Sequence, residues 1–97
     1  MPTYIALIDW TDQGVRNFKD TVDRYEAAQS AFESLGVRFT DVRWTLGMHD
    51  IVATVEAPDD ETLAAALLSV AGQGNLRTTT LRAFTGEEMR TIIAKTA

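Results

Sequence analysis

The side chains with the greatest chemical reach gather at a few places in the chain. His49 and Asp50 adjoin in Gly47-Met48-His49-Asp50. An imidazole titrates near neutral pH, so His49 suits proton transfer or ligation of haem iron. It equally suits a turn, where histidine tolerates unusual backbone angles. Asp50 has the chemistry of a general base or of a carboxylate facing a substrate amine. It also suits an Asx turn, its oxygens accepting from backbone N–H groups. Arg77 and Arg82 carry planar forked guanidinium groups that match a carboxylate or phosphate. Either could instead pair with one of the fourteen acidic residues. Trp10 and Trp44 offer flat faces for stacking. Tyr4 shares strand parity with Trp10 and offers a hydroxyl. One histidine and no cysteine make a zinc site improbable, and neither a metal nor another cofactor is expected. Gly72-Gln73-Gly74-Asn75 lacks the lysine of a phosphate loop and follows a helix rather than a strand.

These residues need elements to hold them. Thr3 to Trp10 is apolar at both parities, as in a strand buried on both faces. Val15, Phe18, Val22, Tyr25, Ala28, Phe32 and Leu35 recur at steps of three and four, which is one face of a helix. A second N-cap at Asp20-Thr21 would split it into a short first turn and a long helix. Gly36 sits where a helix C-cap glycine belongs. Val42, Trp44 and Leu46 alternate with Asp41, Arg43 and Thr45; Ile51, Ala53 and Val55 alternate with Val52, Thr54 and Glu56. A hairpin with a two-residue loop at Met48-His49 would pair Leu46 with Ile51 and Trp44 with Ala53. Pro58-Asp59-Asp60-Glu61 opens a second helix striped by Leu63, Leu67, Val70 and Ala71. Leu76 to Phe84 reads as a fourth strand, and Thr85 with Glu88 as a capping box ahead of a last helix.

The order is βαββαβ with a C-terminal helix: an α+β, ferredoxin-like fold with one four-stranded antiparallel sheet. The expected sheet order is fourth, first, third, second. Ninety-seven residues fit a single domain, 1–97. Apolar types make up 45% and charged types 24%, which excludes wholesale disorder. A net charge of −5 argues against nucleic acid or an anionic membrane as partner. No apolar run approaches the roughly 18–20 residues of a membrane span. The start lacks a basic stretch and a cleavage site, so a cytoplasmic location is expected.

In such a fold one sheet face has no helix over it. Large apolar side chains at both parities of the first strand call for a second cover there. The simplest is a second copy packed sheet to sheet. The polar residues expected on that face are Arg43, Thr45, Thr54, Glu56, Thr78, Thr80 and Arg82; they either pair internally or surround water and a ligand.

Three blocks, TYIALIDWTDQG, RWTLGMHDIVATVEAPDD and GNLRTTTLRAF, resemble the GYD-domain family of small bacterial proteins. The signature is matched at Gly47 and Asp50, with His49 where tyrosine is expected. The resemblance implies similarity to the dimeric α+β barrel superfamily, hence pairing as a homodimer or higher oligomer, and supplies no activity.

Two functions follow, and whether the protein is an enzyme stays open. The first is a homo-oligomeric small-molecule binder, or a cofactor-free enzyme, with a barrel cavity lined by Tyr4, Trp10, Thr54, Glu56 and Arg82. His49, Asp50 and Arg77 complete the candidate ligand-binding set. The second is a non-catalytic regulatory or assembly module, with the sheet face as interface and the hairpin around Met48-His49 touching a partner. A third reading uses His49 to bind haem.

Overall fold

The computed structural model describes residues 1–97. Its elements are β1 (Thr3–Trp10), α1 (Asp12–Arg16), a 3-10 turn (Phe18–Asp20), α2 (Thr21–Glu33), β2 (Arg38–Trp44), β3 (Ile51–Glu56), α3 (Asp60–Ala71), β4 (Leu76–Ala83) and α4 (Gly86–Ala94). The four strands form one antiparallel sheet in the order β2-β3-β1-β4. This is the α+β arrangement and sheet order expected from the hydrophobic pattern.

Directly opposed residues in a sheet share a face, so the register sorts every side chain. Tyr4, Ala6 and Ile8 lie beside Val55, Ala53 and Ile51, and all six are buried beneath the helices. Ile5 and Leu7 lie beside Thr54 and Val52 on the opposite, open face. The core joins Phe32 of α2, and Leu63 and Ala66 of α3, to the helix-facing side of the sheet.

An irregularity between Phe39 and Asp41 sets the phase of β2. One extra residue, Thr40, restores the parity, so that Phe39 and Val42 both reach the helix side. Aromatic contacts then clamp α2 onto β2: Tyr25 meets Phe39 and Trp44 edge-on at 5.3 and 5.9 Å, and Phe32 stacks on Phe39 at 5.4 Å. The Trp44 indole N–H donates to Thr21 Oγ1 at 3.0 Å.

The long apolar stripe from Val15 to Leu35 does not form one helical face. The chain breaks before Thr21, as the alternative with a second N-cap at Asp20-Thr21 has it, although Asp20 makes no side-chain cap bond, and Val15, Phe18, Val22 and Leu35 stay about half exposed. Tertiary hydrogen bonds override the periodicity. Thr11 donates from its N–H to Asn75 O (3.1 Å) and from its hydroxyl to Gly74 O (2.6 Å), tying α1 to the α3–β4 loop. Gln13 Nε2 reaches Gln73 O and Asn75 Oδ1 in the same loop. Arg24 then holds the carbonyls of Gly14 and Asn17, fixing the angle between the two helical pieces.

The hairpin also differs from expectation. Trp44 lies opposite Ile51 and Val42 opposite Ala53, so residues 45–50 form a six-residue connection. A shift of two preserves the faces. Its cause is Asp50, which is claimed by β1: its N–H donates to Ile8 O at 3.0 Å, and its carboxylate accepts the Trp10 N–H at 2.9 Å. Gly47 makes the bend with φ +110°. At the far end, Thr85 and Glu88 form the capping box of α4, and hydrogen bonding from the Thr85 N–H holds the Glu88 carboxyl below its ordinary range.

The α1 anchor is testable at Gly14. A Cβ there would overlap the backbone oxygen of Asn75, whereas one at Gly86 meets nothing within 4 Å. Gly14→Ala is expected to cost about 2 kcal/mol or more, lowering the thermal midpoint by roughly 8–16 °C, while Gly86→Ala leaves it within about 2 °C. Differential scanning calorimetry of the two variants reads this directly.

Candidate functional site

The strand register divides the expected ligand-binding residues between two faces. Tyr4, Trp10 and Arg82 lie on the helix side, and Thr54, Glu56 and Arg77 on the open side. Thr78 and Thr80 also face the helices. The cavity expected from Tyr4, Trp10, Thr54, Glu56 and Arg82 together is therefore not formed. The parity of β4 is the reason: Thr78, Thr80 and Arg82 oppose Ile8, Ala6 and Tyr4, all helix-facing.

Several of these groups are engaged within the chain. Tyr4 is buried, and its hydroxyl donates to Asp60 Oδ1 in the first turn of α3. That hydrogen bond, then burial, pushes the phenol above its ordinary pKa. Arg82 lies over the rings of Tyr4 and Phe84 (5.6 and 4.5 Å) and donates to the carbonyls of Thr3 and Ala83. Glu56 pairs with Arg38 at 3.1 Å. Asp50 serves the backbone of β1, as an Asx residue does at a turn.

His49 forms a cluster that the sequence did not predict. Its Nδ1 lies 3.1 Å from Asp9 Oδ1, and Arg77 is the cross-strand partner of Asp9. Asp9 was legible as the one charge in the apolar run of the first strand. No three His, Cys, Asp or Glu side chains stand close enough to hold a metal ion.

A cavity lies on the helix side, between α2, α3 and the sheet. It measures about 420 Å³, and seventeen of its twenty-four lining residues are apolar. That size is within the range of small-molecule sites. Ala27, Ala28 and Ala31 give α2 a wall of small side chains, which leaves room that a leucine face would fill. Trp10 lines the cavity, and its indole N–H is buried without a hydrogen-bond partner. Arg24, Asn75 and Thr78 add polar groups. In the sequence these residues carried no motif. Ala28 on the apolar stripe of α2, with Ala27 and Ala31 beside it, was the available signal.

Two measurements test the assigned roles. Asp50→Ala leaves the Trp10 N–H unpaired and should cost about 1–2 kcal/mol in urea denaturation, whereas a mobile, purely functional loop residue would cost almost nothing. For Tyr4, both folded and unfolded chains keep the phenolic proton below about pH 10. Above that the unfolded chain releases it first, so stability falls as pH rises through the raised folded pKa. The urea midpoint of the native protein should decline above about pH 10, and Tyr4→Phe should flatten that decline.

Comparison with known proteins agrees with this architecture. The family model described as the GYD domain matches residues 4–93. A protein of Thermus thermophilus named "Glutamine synthetase and cystathionine beta-lyase binding protein" is 37% identical over 84 residues, covering 86% of this chain and 88% of that one. A crystal structure of a protein from Thermus thermophilus superposes with a TM-score of 0.57 at 26% identity, covering 89% of this chain and 96% of the other. With the signature glycine and aspartate placed in the hairpin that closes on β1, the chain belongs to the GYD-domain family.

Proposed function

We propose that this protein is a homo-oligomeric binding module that docks on a metabolic enzyme, with glutamine synthetase the first candidate. The observation that carries this reading is the 37% identity, across most of both chains, to a relative named for binding glutamine synthetase and cystathionine beta-lyase. Two surfaces suit the two halves of the proposal.

The hairpin tip suits the enzyme. Leu46 is fully exposed and Met48 is 88% exposed, so neither packs within the chain. Gly47 between them bends the loop outward, and methionine adapts readily to a partner surface. The open sheet face suits a second copy. Ile5, Leu7, Val52 and Leu81 form its apolar centre, flanked by Arg38, Arg43, Arg77, Asp9, Asp41 and Glu56. Three positive and three negative groups balance, as a two-fold pairing into a dimeric α+β barrel requires. Met89 and Ile93 of α4 are also about half exposed. A second reading, small-molecule binding, is supported by the 420 Å³ cavity beneath α2.

Light scattering should return a dimer or higher multiple, and Leu81→Arg should weaken self-association at least tenfold. Immobilised glutamine synthetase should capture the native protein, and Leu46→Asp combined with Met48→Asp should reduce capture at least tenfold without altering mass or thermal midpoint. Absence of capture by the native protein, or unchanged capture by the double variant, overturns the docking role.

A further inference from the structure

We infer that the cavity between α2, α3 and the sheet is a binding site for a small amphipathic carboxylate, with its apolar body among the core side chains and its carboxylate at the Arg24 end. The inference rests on the small-molecule reading of this cavity and stands apart from enzyme docking. Three observations carry it.

The first is charge. The chain holds fourteen acidic and nine basic residues. None of the acidic residues lines the cavity, and Arg24 is its one charged lining residue. A ligand with a cationic group would find no counter-charge there.

The second is the unspent hydrogen-bonding capacity of that arginine. Its Nη1 donates to Asn17 O at 2.8 Å and its Nη2 to Gly14 O at 3.2 Å. The chain's ion pairs are Arg38–Glu56, Arg43–Asp41 and His49–Asp9, and Arg24 takes part in none. A guanidinium has five N–H donors, so the two carbonyls orient it and leave donors for an incoming carboxylate, the acceptor its fork matches.

The third is position. Trp10 lines the same cavity, and its buried indole N–H has no hydrogen-bond partner. Trp10 opposes Leu76 across the β1–β4 ladder, and the next residue, Thr11, hydrogen-bonds Asn75. Gly14, whose carbonyl holds Arg24, abuts that same Asn75. The donors thus collect at the end where α1 meets the α3–β4 loop, while Phe32 and Val55 supply apolar surface elsewhere in the cavity. A head of acceptors and an apolar tail match this division. Buried donors left unpaired disfavour ligands that cannot supply an acceptor.

The test uses octanoate, octanol and octylamine as probes of equal chain length. In two-dimensional ¹H–¹⁵N spectra of the full chain, the Trp10 indole resonance, assigned by its loss in Trp10→Phe, is followed during each titration. Octanoate should shift it saturably below about 1 mM, at least tenfold more tightly than octanol or octylamine. Arg24→Gln should remove that preference. Ala28→Leu, which fills the cavity while retaining the Arg24 contacts, should abolish octanoate binding with the fold intact. Equal binding of all three probes would overturn the carboxylate assignment and leave a general apolar site. Absence of any shift up to about 10 mM would overturn the small-molecule reading itself. Octanoate binding that survives Ala28→Leu would place the ligand elsewhere and overturn the site.

Discussion

The constraint on which this structure depends is the position of β1. It is hydrogen-bonded along both edges, to β3 and to β4, and it carries apolar side chains on both faces. A central strand of that kind must be covered twice. On one side Tyr4, Ala6 and Ile8 lie under α2 and α3 and are almost fully buried. On the other, Ile5 and Leu7 have no helix above them and remain half-buried. The hydrophobic effect scales with the apolar area removed from water, so the open face is the surface with most to gain from a partner.

The hairpin signature acquires a physical meaning from the same strand. Asp50 ends the β2–β3 connection by bonding twice to β1, through its own N–H to Ile8 and through its carboxylate to Trp10. Gly47 supplies the positive φ that turns the six-residue loop back. These are structural duties. The residues between them are an exposed methionine and a histidine held by Asp9.

Helix placement determines where a small molecule can fit. Aromatic side chains hold α2 over β2, while α3 lies over β4. The space between is lined on the α2 side by alanines rather than leucines, and so it persists as a cavity. Interiors are otherwise close-packed, and this apolar space carries Arg24 and Trp10 in its lining.

The sequence by itself determined the elements, their order and the face of most side chains. Periods of two and 3.6 survive into the structure wherever one face is buried, as in β3 and α3, and the capping box at Thr85 and Glu88 is a local device that needs no distant partner. The tertiary structure decided what depended on contacts between distant residues. The apolar stripe of Val15, Phe18 and Val22 was broken because Thr11, Gln13 and Arg24 bond to groups that lie in another loop or across a bend. The hairpin register moved by two because Trp10 of β1, 40 residues earlier, claimed Asp50. Tyr4, Trp10 and Arg82 separated from Thr54 and Glu56 because strand pairing, not local pattern, sets which residues of β4 oppose Tyr4, Ala6 and Ile8. Arg24 and Trp10 share a cavity only once α1 is anchored to the α3–β4 loop, a hydrogen-bonded link between residues some sixty positions apart.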